Sequence, residues 1–480
     1  MTLTRRDLLR GSLALRAAPS PAQPAARPLN FLFILIDDMG WTDLGCQGSR
    51  YYETPHIDRL AAQGMRFTNA YAACPVCSPT RASIMTGKYP PRLLLTDWIP
   101  GRKQWPTARL LVPPFHQQLP LAETTIAEML KPAGYATASI GKWHLGGPGF
   151  APENQGFDLN IAGTARGSPE SYFGPFDLPG LKGGTKDDYL TDRLTDEAEK
   201  FIRANRDRPF FLYLPEFAVH LPLQAKEQTV RKYRAKTDPA APQNNPVYAA
   251  MVESVDLAVG RIMRTLDDLR LADRTVVIFT SDNGGLRFEG SSKVATTSNA
   301  PLRAGKGHVY EGGIREPLIV RWPGVVQPGA VCDAPVASVD YLPTIHELAR
   351  LRAPLPAHVD GASIVSLLRG TGQPKRDALY WHYPHYSNQG GVPAGAVRSG
   401  DFKLIEFYEG GRLELYNLKD DIGEQRNLVK RDPDRARAMA ALLERWRLSV
   451  GAVMPRTNPA YDPATSDQGL TGYEPPTPPV

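Results

Sequence analysis

The stretch Leu29–Ile36 reads LNFLFILI, apolar at all but one position, and it stops abruptly at Asp37-Asp38. A run without polar alternation suits a strand covered on both faces, so it demands a sheet with helices packed on either side. PFFLYLPEF (Pro209–Phe217) and TVVIFTSDNGG, which ends in Asp282-Asn283-Gly284-Gly285, repeat the pattern, and YATASIGKWH holds a shorter strand. Helical pattern is expected around Ile57–Gln63, Thr125–Lys131, 192–205 and 247–270. Strands alternating with helices predict an α/β domain built on a large, mostly parallel or mixed sheet.

Past about residue 370 the texture changes. AGAVRSGDFKLIEFYEGGRLELYNL alternates apolar and polar residues, with turn signals at Ser399-Gly400-Asp401 and Gly410-Gly411. That predicts a small antiparallel meander, with a helix from about Asp432 to Ser449 after it. The expected divisions are residues 1–27 as a leader, 28–370 as the α/β domain, 371–455 as the antiparallel sheet plus helix, and 456–480 as a proline-rich tail.

The 45 prolines and 42 glycines call for long, shaped loops. Net charge is +6 with both signs interspersed, which argues against a nucleic-acid arm and leaves room for an anionic substrate. No later segment has the apolar length of a transmembrane span. The start, TRRDLLRGSLAL, resembles a twin-arginine export signal, although Arg16 interrupts its apolar part. It sets the expectation of a periplasmic or secreted protein; a disordered basic terminus on a cytoplasmic protein is the alternative. Four cysteines (Cys46, Cys74, Cys77 and Cys332) are too few for a disulfide scaffold. Cys74 and Cys77 have the spacing of a redox pair or half a zinc site, but no second pair or nearby histidine completes a zinc site.

Two strand ends carry neighbouring oxygen ligands, Asp37-Asp38 and Asp282-Asn283. In open α/β sheets, ligands bind beyond the carboxyl ends of the strands. Three carboxylates and an amide oxygen meeting there would need a cation, and all-oxygen ligation favours calcium or magnesium over zinc. Either pair alone reads as a helix or turn cap. GKWHLGG puts Lys142 and His144 on one face of an extended segment between glycines, an anion grip beside a proton handler. FAVHLPL puts His220 just past another buried strand. In LRAGKGHVYEGGIREPLIVRWPG, Lys306 stands between two glycines and precedes Glu311-Gly312-Gly313 and Arg315. CSPTRASIMTG (Cys77–Gly87) places a cysteine among polar residues at the start of a helix, an odd setting for a structural thiol.

Cys77-Ser78-Pro79-Thr80-Arg81 with Thr86-Gly87, the Asp37-Asp38 strand end, GKWHLG, the His220 segment, SDNGG and GKG…EGGIR, in this order, together resemble the type I sulfatases. The resemblance runs from about Pro28 into the C-terminal meander. It implies the alkaline-phosphatase-like fold, hydrolysis of sulfate esters, and oxidation of Cys77 to formylglycine by a formylglycine-generating or sulfatase-maturating enzyme that reads Pro79 and Arg81. The hydrated aldehyde would attack sulfur through one hydroxyl and expel sulfate through the other. The resemblance further implies calcium, with magnesium as the alternative, held by Asp37, Asp38, Asp282, Asn283 and the oxidised side chain of Cys77. Arg81 would hold the diol, Lys142 and Lys306 the sulfate oxygens, His144 would assist sulfate elimination, and His220 would protonate the leaving alcohol or touch the sulfate. A sulfated carbohydrate is the expected substrate, with small aryl sulfates as surrogates. Loops 90–120 and 160–190 are its expected pocket walls; the WHYPHY aromatics (Trp381–Tyr386) would line that pocket or fill the core. Two other readings stand: a phosphomonoesterase or phosphonate hydrolase of the same superfamily, and a non-catalytic sulfated-glycan binder with Cys77 unmodified.

Overall fold

A computed structural model of the chain describes residues 27–288 and 295–465. The export-signal reading and most of the proline-rich tail lie outside the described residues. Strand β1 (Asn30–Ile36) is buried along its whole length and runs near the middle of the large sheet. With β2 (Met65–Tyr71), β3 (Ala136–Ile140), β4 (Leu159–Ile161), β5 (Phe210–Pro215), β6 (Thr275–Ser281), β7 (Arg315–Arg321), β8 (Ala330–Cys332) and β9 (Val336–Ala337), it makes a sheet ordered β8-β2-β7-β6-β1-β5-β3-β4. The short β9 adds to β2.

Strands β6, β1, β5, β3 and β4 are parallel, with Phe31 opposite both Phe211 and Val276. Strand β7 is antiparallel to β6 and β2, so the sheet is mixed. One consequence matters for function: β2, β6, β1, β5 and β3 bring their carboxyl ends to one edge, where β7 brings its amino end. Strand β2 escapes a reading by apolar runs because MRFTNAY interleaves polar residues that are only half-buried.

The alternation of β1 assigns the two helical layers. Leu32, Ile34 and Ile36 share a core with α1 (Pro55–Gln63) and with α3 (Leu190–Ala204), α4 (Glu227–Lys236) and α5 (Pro246–Asp268). Phe31, Phe33 and Leu35 pack on the other side with α2 (Cys77–Thr86), the turn Ile126–Leu130 and α6 (Tyr341–Leu348). Each such buried apolar side chain contributes about 1.5–3 kcal/mol, enough in sum to fix which face each helix covers. Helix α5 begins where Asn245 accepts from the Val247 and Tyr248 amides, with Pro246 at the first helical position.

The second sheet is antiparallel, ordered β10 (Leu379–Tyr383), β11 (Ala394–Ser399), β12 (Phe402–Phe407), β13 (Arg412–Asn417), and α7 (Pro433–Ser449) covers it through Met439, Leu443 and Trp446. Strand β10 decides between the two readings of WHYPHY. Trp381 and Tyr383 are buried; the indole donates to the Ala72 carbonyl at 2.8 Å and the Tyr383 hydroxyl to Asp97 at 3.0 Å. His382 and His385 are buried with them. Trp381 and Tyr383 fill the seam between the two sheets, while His382 packs on the opposite face against Tyr408 and the Val453 carbonyl, and His385 and Tyr386 pack against the 96–115 segment. Among the described residues, no helix is long and apolar enough to cross a membrane.

Candidate active site

The shared sheet edge collects the candidate residues. Asp37-Asp38 leave β1, Asp282-Asn283 leave β6, Gly141–His144 leave β3 and His220 follows β5; the segment after β2 leads to Cys77 at the start of α2, and Lys306 lies on the loop that enters β7. Pairing extends just beyond the strands: the Asp37 amide donates to Ala218 at 3.0 Å and the Asp282 amide to Ile36 at 3.1 Å. Main-chain hydrogen bonds, rather than side-chain attraction, therefore set the acidic residues side by side. Two glycines permit this crowding. Gly141 has φ +126° and a Cβ there would stand 1.9 Å from the Pro215 carbonyl oxygen; a Cβ on Gly284 would stand 1.8 Å from that of Gly312.

Every residue of α2 is buried. The Thr80 hydroxyl donates to the Cys74 carbonyl at 2.9 Å, folding the approach to the helix, and Ser78 Oγ accepts from the Ile99 amide at 3.1 Å. Cys77 Sγ lies 3.3 Å from His144 Nδ1. His144 Nε2 lies 2.5 Å from the Ile99 carbonyl, an acceptor only, so the ring proton sits on Nε2 and Nδ1 faces the sulfur as an acceptor. Burial, then the Lys142 cation, push the His144 pKa well below its usual 6.5, which keeps the ring neutral. The Cys77 thiol is raised, chiefly by burial. All four cysteines are free, so the Cys74–Cys77 spacing forms no disulfide.

Around this contact, charges alternate. Lys142 Nζ is 2.6 Å from Asp37 and Lys306 Nζ is 2.6 Å from Asp38. Arg81 is fully buried; its Nε and a terminal nitrogen each lie 2.8 Å from Asp282 Oδ2, and its Nη1 donates to the Lys142 carbonyl at 2.8 Å. The Asn283 amide donates to Asp38 at 2.7 Å. His220 Nε2 approaches Asp38 Oδ2 to 3.6 Å while its Nδ1 donates to the Leu221 carbonyl at 2.9 Å. Burial pushes Asp37 up to about 8; Lys142 counters, while Asp282 and Asp38 add to the rise. Burial opposes ionisation of Asp38 too, but Lys306, then His220 and Lys142, outweigh it and hold that carboxyl well below the usual range. Burial lowers His220 to about 3, so its ring is neutral with a bare Nε2. Asp38 and His144 also hold left-handed backbone at φ 61° and 59°, conformations that cost non-glycine residues energy and cluster at working sites.

All ten residues picked from the sequence thus meet at one edge, with differences in detail. Among the described residues, ligand atoms of Asp37, Asp38 and His220 lie within 4.8 Å of one another. Asp282 stands beside them, its oxygens taken by the Asp38 amide at 3.2 Å and by Arg81. Asp37 Oδ1 and Asn283 Oδ1 are buried without a hydrogen-bond donor. Two orphan oxygens beside further carboxylates fit a hard cation such as calcium or magnesium. Sequence reasoning missed the parts that hold His144: the Ile99 carbonyl, the Thr164 carbonyl that accepts from the His144 amide at 2.9 Å, and Gly167, where a Cβ would stand 2.6 Å from the imidazole. The glycine in RGSPESYFG was the available signal. It missed Lys403 and Glu424 as well, which grip Glu311 on the loop carrying Lys306.

Comparison with known proteins agrees with this geometry. The family model described as Sulfatase matches residues 29–351, and one described as N-sulphoglucosamine sulphohydrolase, C-terminal, matches residues 304–448. A sulfatase of Formosa agariphila is 34% identical over 517 residues, covering 91% of this chain and 92% of its own. The N-acetylgalactosamine-6-sulfatase of Homo sapiens is 36% identical over 376 residues, covering 73% of this chain and 67% of its own. Among solved structures, Ps i-CgsB in complex with k-i-k-neocarrahexaose superposes with a TM-score of 0.76 at 28% identity, over 91% of this chain and 95% of that one.

Proposed function

The chain belongs to the sulfatase family and is a metal-dependent sulfuric ester hydrolase; from that premise we propose that it removes sulfate from a sulfated carbohydrate with a nucleophile made from Cys77. The observation that carries this reading is the contact between Cys77 Sγ and the unprotonated Nδ1 of His144, inside a ring of Arg81, Lys142 and Lys306. A thiol whose pKa is raised by burial is a poor nucleophile, so Cys77 as it stands does not suit the task. Its oxidation to formylglycine by a maturating enzyme would supply a hydrated aldehyde in its place.

The residues then divide the work. A calcium ion, or magnesium in its stead, held by Asp37, Asp38, Asp282, Asn283 and the oxidised residue 77, would supply positive charge for nucleophile and sulfate. His144 Nδ1 accepts a proton from the residue-77 side chain, while the Ile99 carbonyl keeps the ring in the required tautomer. Lys142 and Lys306 offer ammonium groups to sulfate oxygens and stabilise charge on the transferring group. Arg81, locked to Asp282, orients residue 77. His220 faces the leaving group; to act as an acid it must first take a proton on Nε2, which the neighbouring Asp38 favours.

The carbohydrate class is supported by two relatives, one named an N-acetylgalactosamine-6-sulfatase and the other solved with k-i-k-neocarrahexaose. Arg5-Arg6 in the leader supports export; a fusion of residues 1–30 to a reporter should reach the periplasm, and a cytoplasmic reporter would overturn that part. The central test is mass spectrometry of the peptide holding both Cys74 and Cys77. An aldehyde trapped by hydrazine at residue 77, an alkylatable thiol at Cys74, and sulfate released from defined sulfated sugars are the expected results. Full activity with Cys77 entirely as free thiol would overturn the reading.

A further inference from the structure

The segment 96–102 forms one wall of the active site and is bolted to its working parts. The Ile99 amide donates to Ser78 Oγ at 3.1 Å, beside Cys77, and the Ile99 carbonyl holds His144 Nε2. Arg102 follows three residues later, and its Nη1 donates to the Ser387 carbonyl at 2.9 Å. Ser387 in turn packs on the lysine loop: its Oγ stands where a Cβ on Gly307 would be, next to Lys306. One guanidinium therefore spans the rim between the His144 side and the Lys306 side.

The hydrogen bonding of this guanidinium is unfinished. It lies over the Trp105 ring at 4.9 Å, and that ring packs on Tyr386 at 4.5 Å, which fixes its plane. Arg102 is only half-buried; its Nε and Nη2 have no acceptor among the described residues, and neither nitrogen is buried. No carboxylate among the described residues lies within ion-pair distance of it. Asp97, whose charge reaches it, is turned inward to the Tyr383 hydroxyl at 3.0 Å and the Trp98 amide at 2.9 Å. Nε and Nη2 make the edge of a guanidinium that grips a carboxylate or sulfate, as the same two nitrogens of Arg81 grip Asp282. The loop is also held from behind. Leu110–Leu111 pairs with Arg456–Thr457, and the Asn458 amide donates to the Pro106 and Ala108 carbonyls, each at 2.7 Å. A free fork on a pre-arranged loop suits recognition of an anion, because little further ordering is needed on binding.

We propose that the free edge of Arg102 reads a second anionic group of the substrate, a further sulfate or a carboxylate on the sugar, beyond the sulfate ester that is cleaved. The choice of a sugar rests on the sulfatase reading above. Sulfate and carboxylate share the chemistry that the fork recognises, and the experiment separates them. In this role Arg102 determines specificity: it contributes to binding of doubly charged sugars and touches none of the bonds that break.

The test is calorimetric titration of the full chain in calcium-containing buffer, carrying Cys77→Ala to prevent turnover. The ligands are three forms of one disaccharide: with one sulfate, with two sulfates, and with one sulfate plus a uronate carboxylate. At least one doubly charged form should bind about tenfold more tightly than the monosulfate, the effect of charge-assisted hydrogen bonding. In Arg102→Gln that gain should vanish; in Arg102→Lys, which keeps the charge without the fork, part of it should survive. The stoichiometry of each titration counts the folded protein, and the gain is a ratio within one preparation, so partial misfolding does not imitate its loss. A gain confined to the disulfate, or to the uronate, names the group that is read. No gain in either form would overturn the proposal, and so would a gain that Arg102→Gln leaves intact. Failure of the sulfatase reading is distinct: protein with Cys77 retained and oxidised would release no sulfate from these sugars or from nitrophenyl sulfate, whereas the titration does not depend on turnover.

Discussion

Two clusters of buried charge can be set against each other. Around Cys77, Asp37, Asp38 and Asp282 meet Arg81, Lys142 and Lys306; where the two sheets join, Glu311 and Glu424 meet Lys403 and Arg315. Both are almost wholly withdrawn from water. In the second cluster Glu311 is saturated: Lys403 at 2.9 Å, Arg315 at 2.6 Å and the Tyr71 hydroxyl at 2.8 Å all point to it, and its amide donates to Glu424 at 2.6 Å. That carboxyl is held far below its usual range: burial opposes ionisation, but Lys403 and Arg315 overcome it. Beside it, Glu424 is raised by burial to about 7, with Lys403 at 2.9 Å. Around Cys77 the matching is poorer, with Asp37 pushed up to about 8 and two oxygens, Asp37 Oδ1 and Asn283 Oδ1, that no donor reaches. Buried charge by itself does not mark a site; buried charge left short of partners does.

The sharpest break between the clusters is expected from Cys77→Ala. Sulfate release should fall to background while the thermal midpoint hardly moves, because one small side chain at the site carries little packing energy. Appreciable sulfate release from the alanine variant would mean that the cluster works without its nucleophile. Lys403→Met should do the reverse. It strands Glu311 and Glu424 in the seam and should cost about 3–5 kcal/mol of stability, read by urea unfolding. A stability loss smaller than that of an ordinary surface substitution would show that the seam cluster carries no structural load.

The same contrast explains what the sequence could and could not reveal. Asp37-Asp38 and Asp282-Asn283 were legible because each ends an apolar run, and strand ends in parallel sheets converge. Lys142, His144 and Lys306 were legible because glycines bracket them. Cys77 and Arg81 needed the family resemblance; composition alone marks only a cysteine in polar company. Lys403 and Glu424 were not legible. They sit in or just after a meander whose alternation predicts outward-facing polar residues, and only the docking of the two sheets turns them inward. Strand β10 was hidden for a related reason, since its aromatics are as suited to a pocket wall as to a seam. The tautomer of His144 was out of reach as well, because it depends on a carbonyl 45 residues away in the chain.

His220 belongs to the unsaturated cluster, and its Nε2 is bare in the neutral ring. If it delivers a proton to the departing oxygen, His220→Ala should slow hydrolysis of sugar sulfates about a hundredfold, the low end for general acid catalysis, and spare nitrophenyl sulfate, whose leaving group needs no proton. Steady-state rates on the two substrate types decide this. Equal losses on both would restrict His220 to sulfate or cation binding beside Asp38.

The smallest effect reaches furthest into the difference between the clusters. Asp37 has an ordinary pKa of 3.8 and is raised by burial to about 8 in the folded chain. The native state therefore keeps a proton that the unfolded chain has lost between these values. Its contribution to stability is present at low pH and disappears as pH rises through that window. A cation beside Asp37 reverses the preference, because it binds the carboxylate and expels the proton. Calcium added to metal-free protein near about pH 7 should thus release about one proton per chain in weakly buffered solution, and calcium affinity should climb with pH until about 8. Asp37→Asn should bind calcium more weakly, with no proton released and a flatter pH profile. If the wild type releases none, Asp37 is already ionised and saturated by Lys142, as Glu311 is by Lys403, and the two clusters would differ in chemistry but not in frustration.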